Sequence, residues 1–170
     1  MSKLKSKNEN IIVSFHGAVA GSGTDRIIFR GYNWNIFNTD IVCISDYLLN
    51  KYSEYQINWL LSTKKYCIEH KYIELFVHLF KTKKNVIFTG TSAGGFPSIK
   101  FSCMFNSIAL VGNIQLYPEK YGLFKRGRMK LGDGRLGLLD IMDKYDDELL
   151  YENNNIEQII LKNAPRKLIL

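Results

Sequence analysis

The sequence predicts one α/β domain, a three-layer α/β/α sandwich on a mostly parallel sheet. Three observations lead there. Short β-branched runs alternate with stretches of helical periodicity, the order that builds βαβ units with right-handed crossovers. The run Gly90-Thr91-Ser92-Ala93-Gly94-Gly95 stands between one such strand and one such helix. The chain has 170 residues, 46% apolar and 13% aromatic, which suits a single buried core and not a disordered polymer.

Residues 1–9 read as a basic tail, and residues 10–170 as the domain. Asn10 to Phe15 is a buried strand ending at His16-Gly17. The Gly/Ser/Thr-rich stretch from Ala18 to Arg26 is a loop. Ile41 to Ser45 is a second buried strand, with Asp46 at its carboxyl end as a helix or turn cap. The chain is less regular around Trp59. From about Thr63 to Lys81 the apolar spacing fits an amphipathic helix. Asn85 to Thr89 is a third strand, Ala93 to Met104 a helix and Ser107 to Val111 a fourth strand. Leu136 to Leu161 reads as helical, interrupted by Glu152 to Asn155. Arg166 to Leu170 looks like the opening of a fifth strand.

Bulk features narrow the function classes. The formal net charge is +7, but most lysines are dispersed as solvated helix ends and tails. The one dense cluster is Lys125, Arg126, Arg128 and Lys130. No nucleic-acid-binding motif accompanies it, so nucleic acid is not the expected partner. Cys43, Cys67 and Cys103 are far apart and odd in number, which argues against a zinc site or a disulfide framework. They suggest a reducing compartment and a cytoplasmic location. The start MSKLKSKNEN lacks the apolar core of a secretory signal. No apolar stretch approaches the ~18 residues of a membrane span. Neither a metal nor a cofactor is expected.

Ser92 is the residue with the clearest chemical meaning. A serine hydroxyl is a poor nucleophile at neutral pH and needs a base and an oxyanion site. A sharp strand-to-helix turn lifts such an oxygen above the sheet, and small neighbours let the two backbones approach. Gly90 and Gly94 flank Ser92 in that way. The Ala93 N–H, at the helix N-terminus, would point at a developing oxyanion. Ala18 and Val19 are candidates for a second donor, with Gly17 shaping the turn, and Arg26 or Arg30 for an anionic substrate group. His16 sits at this oxyanion end, and its expected task is to hold the loop by hydrogen bonds. The absence of GxxxxGK[ST] and GxGxxG patterns argues against a phosphate-binding turn.

The segments NIIVSFHGAV, IVCISD, NVIFTGTSAGGFPSIKFS and SIALVGNIQLYPEKY resemble the α/β-hydrolase superfamily. More narrowly, they are similar to bacterial proteins associated with surface-polysaccharide biosynthesis. The likeness spans about residues 10 to 121, and the serine turn is its most specific part. It implies a carboxylesterase or O-acyltransferase acting on a small-molecule or glycan acyl ester. It also implies a Ser–acid–His triad in that chain order. Glu119, after the fourth strand, is the candidate acid, while Asp133, Asp140 and Asp143 read as solvated. His16, His70 and His78 all precede Ser92, so the expected later histidine is missing. The apolar ending Leu168-Ile169-Leu170 suggests a truncated form lacking the C-terminal strands of the fold, since a bare apolar edge strand is an aggregation liability. A helical cap is expected at about 117–162, with the basic stretch 121–137 as a lid or a solvated loop. Two readings stay open: a serine esterase or acyltransferase, weak or inactive as written, and a non-catalytic binding or scaffold module.

Overall fold

The computed structural model describes residues 2–3, 8–19, 29–31, 33–34, 39–51, 57–118, 146–148, 150 and 155–170. Its frame is a six-stranded sheet made of β1 (Ser2–Lys3), β2 (Asn10–Phe15), β3 (Asp40–Ile44), β4 (Asn85–Thr91), β5 (Ile108–Gly112) and β6 (Lys167–Ile169). The spatial order is β1-β3-β2-β4-β5-β6. The last five strands of that order are mutually parallel. β1 joins β3 antiparallel, so the first residues of the expected tail contribute an edge strand. Helices flank the sheet as an α/β sandwich: α1 (Tyr47–Lys51), α2 (Ile68–Phe80), α3 (Gly95–Met104) and α4 (Ile156–Lys162).

The register explains the core. Val42, Val13 and Phe88 lie side by side across β3, β2 and β4, and Phe88 is paired with Ala109 on β5. Side chains alternate across a pleated strand, so this row shares one face. Phe76 of α2 and Phe101 of α3 stand edge-on to each other, with centroids 5.2 Å apart, and both reach Phe88. Phe76 and Phe88 are fully buried. Burying each such ring contributes roughly 2 kcal/mol. A second cluster joins Leu48 and Leu49 of α1, Trp59 and Leu61, Phe96 and Ile99 of α3, and Ile156 of α4.

The helices depart from their sequence-based bounds for identifiable reasons. α2 starts five residues later than the spacing predicts, because Thr63 is in a bridge with the chain near 150. There the Lys64 N–H donates to the Glu148 carbonyl, and the Leu150 N–H to the Ser62 carbonyl. The expected helix through 136–161 is therefore not continuous. Asp146 is a turn at φ 49°, and the buried Asp147 carboxylate accepts from Thr63 Oγ1 and the Lys65 N–H. A side chain committed to backbone donors competes with helix formation. After the predicted break, α4 starts at an Asn155 cap whose side chain accepts from the Gln158 N–H. The remainder of the predicted cap region, including 121–137, lies outside the described residues.

α3 is a core helix, buried from Gly95 to Cys103. Pro97 occupies its first turn, where no intrahelical N–H is required. Lys100 is buried on the same helix and paired with Glu69 of α2. Burial pushes the Lys100 ammonium below its ordinary value, and the Glu69 carboxylate opposes that shift.

Candidate functional site

The turn after β4 is where backbones crowd most closely. β4 runs to Thr91, a single 3-10 turn covers Ser92–Gly94, and α3 begins at Gly95. Ser92 itself has φ 54°, a left-handed conformation that costs a non-glycine residue about 1–3 kcal/mol. Its side chain is half-buried, while Ala93 behind it is buried.

The flanking glycines follow from close approach rather than from φ. A Cβ on Gly90 would lie 2.3 Å from the Gly94 carbonyl oxygen. One on Gly94 would lie 2.7 Å from the carbonyl oxygens of both Phe15 and His16. The turn is thus pressed against the end of β2. Gly17 continues that contact: a Cβ there would meet the Thr91 carbonyl oxygen at 3.1 Å and Ser92 Cβ at 3.5 Å. Gly17 therefore stands directly beside Ser92. Ala18 is exposed, and Val19 is buried in the same cluster as Ala93, anchoring the loop.

His16 is fully committed to backbone. Its Nδ1–H donates to the Gly17 carbonyl at 2.6 Å, and its Nε2 accepts from the Asp46 N–H at 3.0 Å. The residue ties the end of β2 to the end of β3. His70 and His78 are exposed on α2. Glu119 and Arg26 lie outside the described residues, as do Asp133, Asp140, Asp143 and the 125–130 basic cluster. Arg30 is described and exposed.

Asp46 is a cap and more. Its Oδ1 accepts from the Leu48 N–H and starts α1. The same carboxylate accepts from Asn58 Nδ2 on both oxygens and from the Leu60 N–H at 2.9 Å. Burial raises the Asp46 carboxyl above its ordinary value, against the opposing effects of Asn58, His16 and the two backbone donors. Tyr72 beside it donates to the Ser45 carbonyl, and burial together with the Asp46 charge raises the phenol further.

Asp46 holds a loop that the sequence does not announce. Trp59 and Leu60 are consecutive left-handed residues, at φ 56° and 54°. Trp59 Nε1–H donates to Gln115 Oε1 at 3.0 Å. The Gln115 N–H in turn donates to the Ser92 carbonyl, which also accepts from the Gly95 N–H. A chain of contacts thus links Asp46, the 58–60 loop, Gln115 and the serine turn. A cavity of about 10 Å³ lies between His16, Asp46, Asn58 and Ala93, the size of one water molecule. Asn58 Oδ1 is buried there without a protein partner.

Among the described residues, no group of three or more His, Cys, Asp or Glu is placed to hold a metal ion. Among them, too, no helix is long and apolar enough to cross a membrane.

No protein-family model matches the chain, and no curated protein does. A solved structure described as the Glycosylation Associate Protein (Gap123) complex from Streptococcus agalactiae matches with a TM-score of 0.56 and 16% identity. The match covers 95% of this chain and 31% of that one. The chain thus spans about a third of that structure's chain, and the likeness is one of fold.

Proposed function

We propose that Ser92 is the nucleophile of a serine esterase or O-acyltransferase whose substrate is an acyl ester, with glycan-linked esters as the substrate class. The carrying observation is the left-handed Ser92 between β4 and α3, half-buried and pressed against Gly17. Keeping a residue at such a φ costs free energy, and such strain clusters at functional sites. In this reading the Ser92 oxygen attacks the ester carbonyl carbon, and a base takes its proton. The N–H groups of Ala93 and of the 17–19 loop hold the oxyanion. The alcohol then leaves with the proton, and water or an acceptor hydroxyl releases the acyl group. The description of the Streptococcus agalactiae structure as glycosylation-associated supports the glycan class.

In this reading His16 is not the base, because both its nitrogens are engaged, and His70 and His78 are exposed on α2. If no base is in place, a residual acceleration of about 10³–10⁴ over water is expected from the oxyanion site and binding. The test is labelling by a fluorophosphonate probe, read by peptide mass spectrometry, with imidazole added as an external base. Labelling at Ser92 that rises with imidazole and vanishes in Ser92→Ala is the expected result. Labelling no different from Ser92→Ala, with or without imidazole, would favour the non-catalytic module instead.

A further inference from the structure

A second site opens at the carboxyl edge of the sheet, beyond β3. It is a groove of about 600 Å³ whose walls include Tyr47, Tyr66, Tyr72, Lys65, Lys71 and Cys67. That volume is within the range of small-molecule sites. Its residues connect to the serine turn through few steps. Tyr72 is bonded to Ser45, the neighbouring Asp46 donates to His16, and Gly17 touches Ser92.

The lining has a defined chemistry. Tyr47 and Tyr66 meet with centroids 5.6 Å apart at 50°, forming a wedge rather than a parallel slot. Lys51 Nζ stands 5.7 Å from the Tyr66 ring. α2 begins beside them at Ile68, and its cap residue Cys67 makes no side-chain capping bond. The first N–H groups of α2 are already taken, that of Ile68 by the Tyr66 carbonyl and that of Glu69 by Ser62 Oγ, so the groove's charge comes from its lysines. Among the described residues no carboxylate lines the groove, and Asp146 reaches Lys65 at 3.9 Å. Tilted aromatic faces suit the puckered ring of a sugar, whereas a flat base fits a parallel slot. The lysines suit a carboxylate or phosphate on that sugar.

We propose that this groove binds an acidic saccharide, and that it holds the glycan moiety of the substrate. The second half of this statement rests on the Ser92 reading; the first does not. Cys67 supplies the reporter, because it is half-buried in the groove while Cys43 and Cys103 are buried and serve as references. In the full chain, its alkylation by iodoacetamide is followed by peptide mass spectrometry. The additives are digalacturonate, glucose 1-phosphate, maltose and uridine monophosphate, each at about 10 mM to match weak binding. An acidic sugar is expected to slow alkylation severalfold, and maltose to leave it unchanged. The two acidic sugars distinguish carboxylate from phosphate. Lys71→Glu and Tyr66→Ala, checked for unchanged thermal melting, should each raise the half-protecting concentration about tenfold, the loss expected for one charge-assisted or stacking contact. Lys71→Arg should restore protection. Ser92→Ala should protect as the parent does, so a dead nucleophile and an empty groove are separate failures. Three results would overturn the inference: no protection by either acidic sugar, equal protection by maltose, or protection by the nucleotide alone.

Discussion

Replacing Gly90 by alanine probes the close approach on which the serine turn depends. Gly90 is not in the left-handed region, so alanine can adopt its backbone and the penalty is steric. The new Cβ would sit 2.3 Å from the Gly94 carbonyl oxygen, about 1.1 Å short of where ordinary contact begins. The obstacle is backbone, and it cannot rotate aside. Overpacking a close-fitted interior costs 1–3 kcal/mol in typical cases, and a backbone obstacle puts this one at about 3 kcal/mol. In a domain of this length 1 kcal/mol moves Tm by about 2–4 °C, so a drop of roughly 6–12 °C is expected. Gly94→Ala should behave similarly, because its Cβ would strike two carbonyl oxygens of the β2 end at 2.7 Å. Gly112→Ala is the control: its Cβ meets only Thr91 Cγ2, at 3.6 Å. It should stay within about 1 kcal/mol of the parent, with any gain coming from reduced unfolded-state entropy. Melting curves by circular dichroism decide the matter. If Gly90→Ala melts with Gly112→Ala, the close-approach argument is wrong.

Asp46→Ala should destabilise by about 3 kcal/mol, since it leaves the Leu60 N–H buried without its acceptor and the Asn58 amide with only the long contact to the Leu61 carbonyl. Urea titration followed by tryptophan fluorescence in a Trp34→Phe background, which leaves Trp59 as the reporter, should show this, with an emission change before global unfolding. The pH dependence follows from the raised Asp46 carboxyl. A carboxyl whose folded value exceeds its unfolded one, near 3.8, binds protons more readily in the folded state. Charging it therefore costs stability as pH rises through that window, and the cost is relieved on acidification. The parent should gain stability relative to Asp46→Asn as pH falls from neutral toward 4, in matched denaturant titrations at each pH; a gap that stays flat refutes the assignment. Lys100→Met should cost about 3–5 kcal/mol by leaving Glu69 buried and unpaired, and Glu69→Leu added to it should recover most of that loss. A double variant no better than the single one would show that the pair itself stabilises.

The strands and the serine turn were legible because their signals are local. β2, β4 and β5 appear within two residues of their predicted ends, since buried parallel strands read as continuous apolar runs. The left-handed Ser92 follows from glycines at fixed offsets. Residues 146–148 read as helical in the sequence but are not, because Asp147 and Glu148 look like solvated helix residues until Thr63 and Lys64 are placed opposite them, whereas the helix over 156–161 is as expected. α1 was missed because five residues carry too little periodicity to register. The groove was also unreadable, since Tyr47 and Tyr66 are neighbours only in space. The hub role of Asp46 could have been suspected from an acid ending a buried strand, but its partners at 58–60 could not.

That hub has a consequence for how the molecule assembles. Trp59 and Leu60 are neither glycine nor asparagine, so their left-handed conformation is disfavoured in the isolated 57–61 segment. A local bond from the Leu61 N–H to the Asn58 carbonyl closes the turn, and the distant Asp46 carboxylate, presented at the end of β3 with its N–H on His16, holds it in place. The loop therefore owes its shape to its surroundings, and moved to another scaffold it would lack Asp46 and the strand ends that present it.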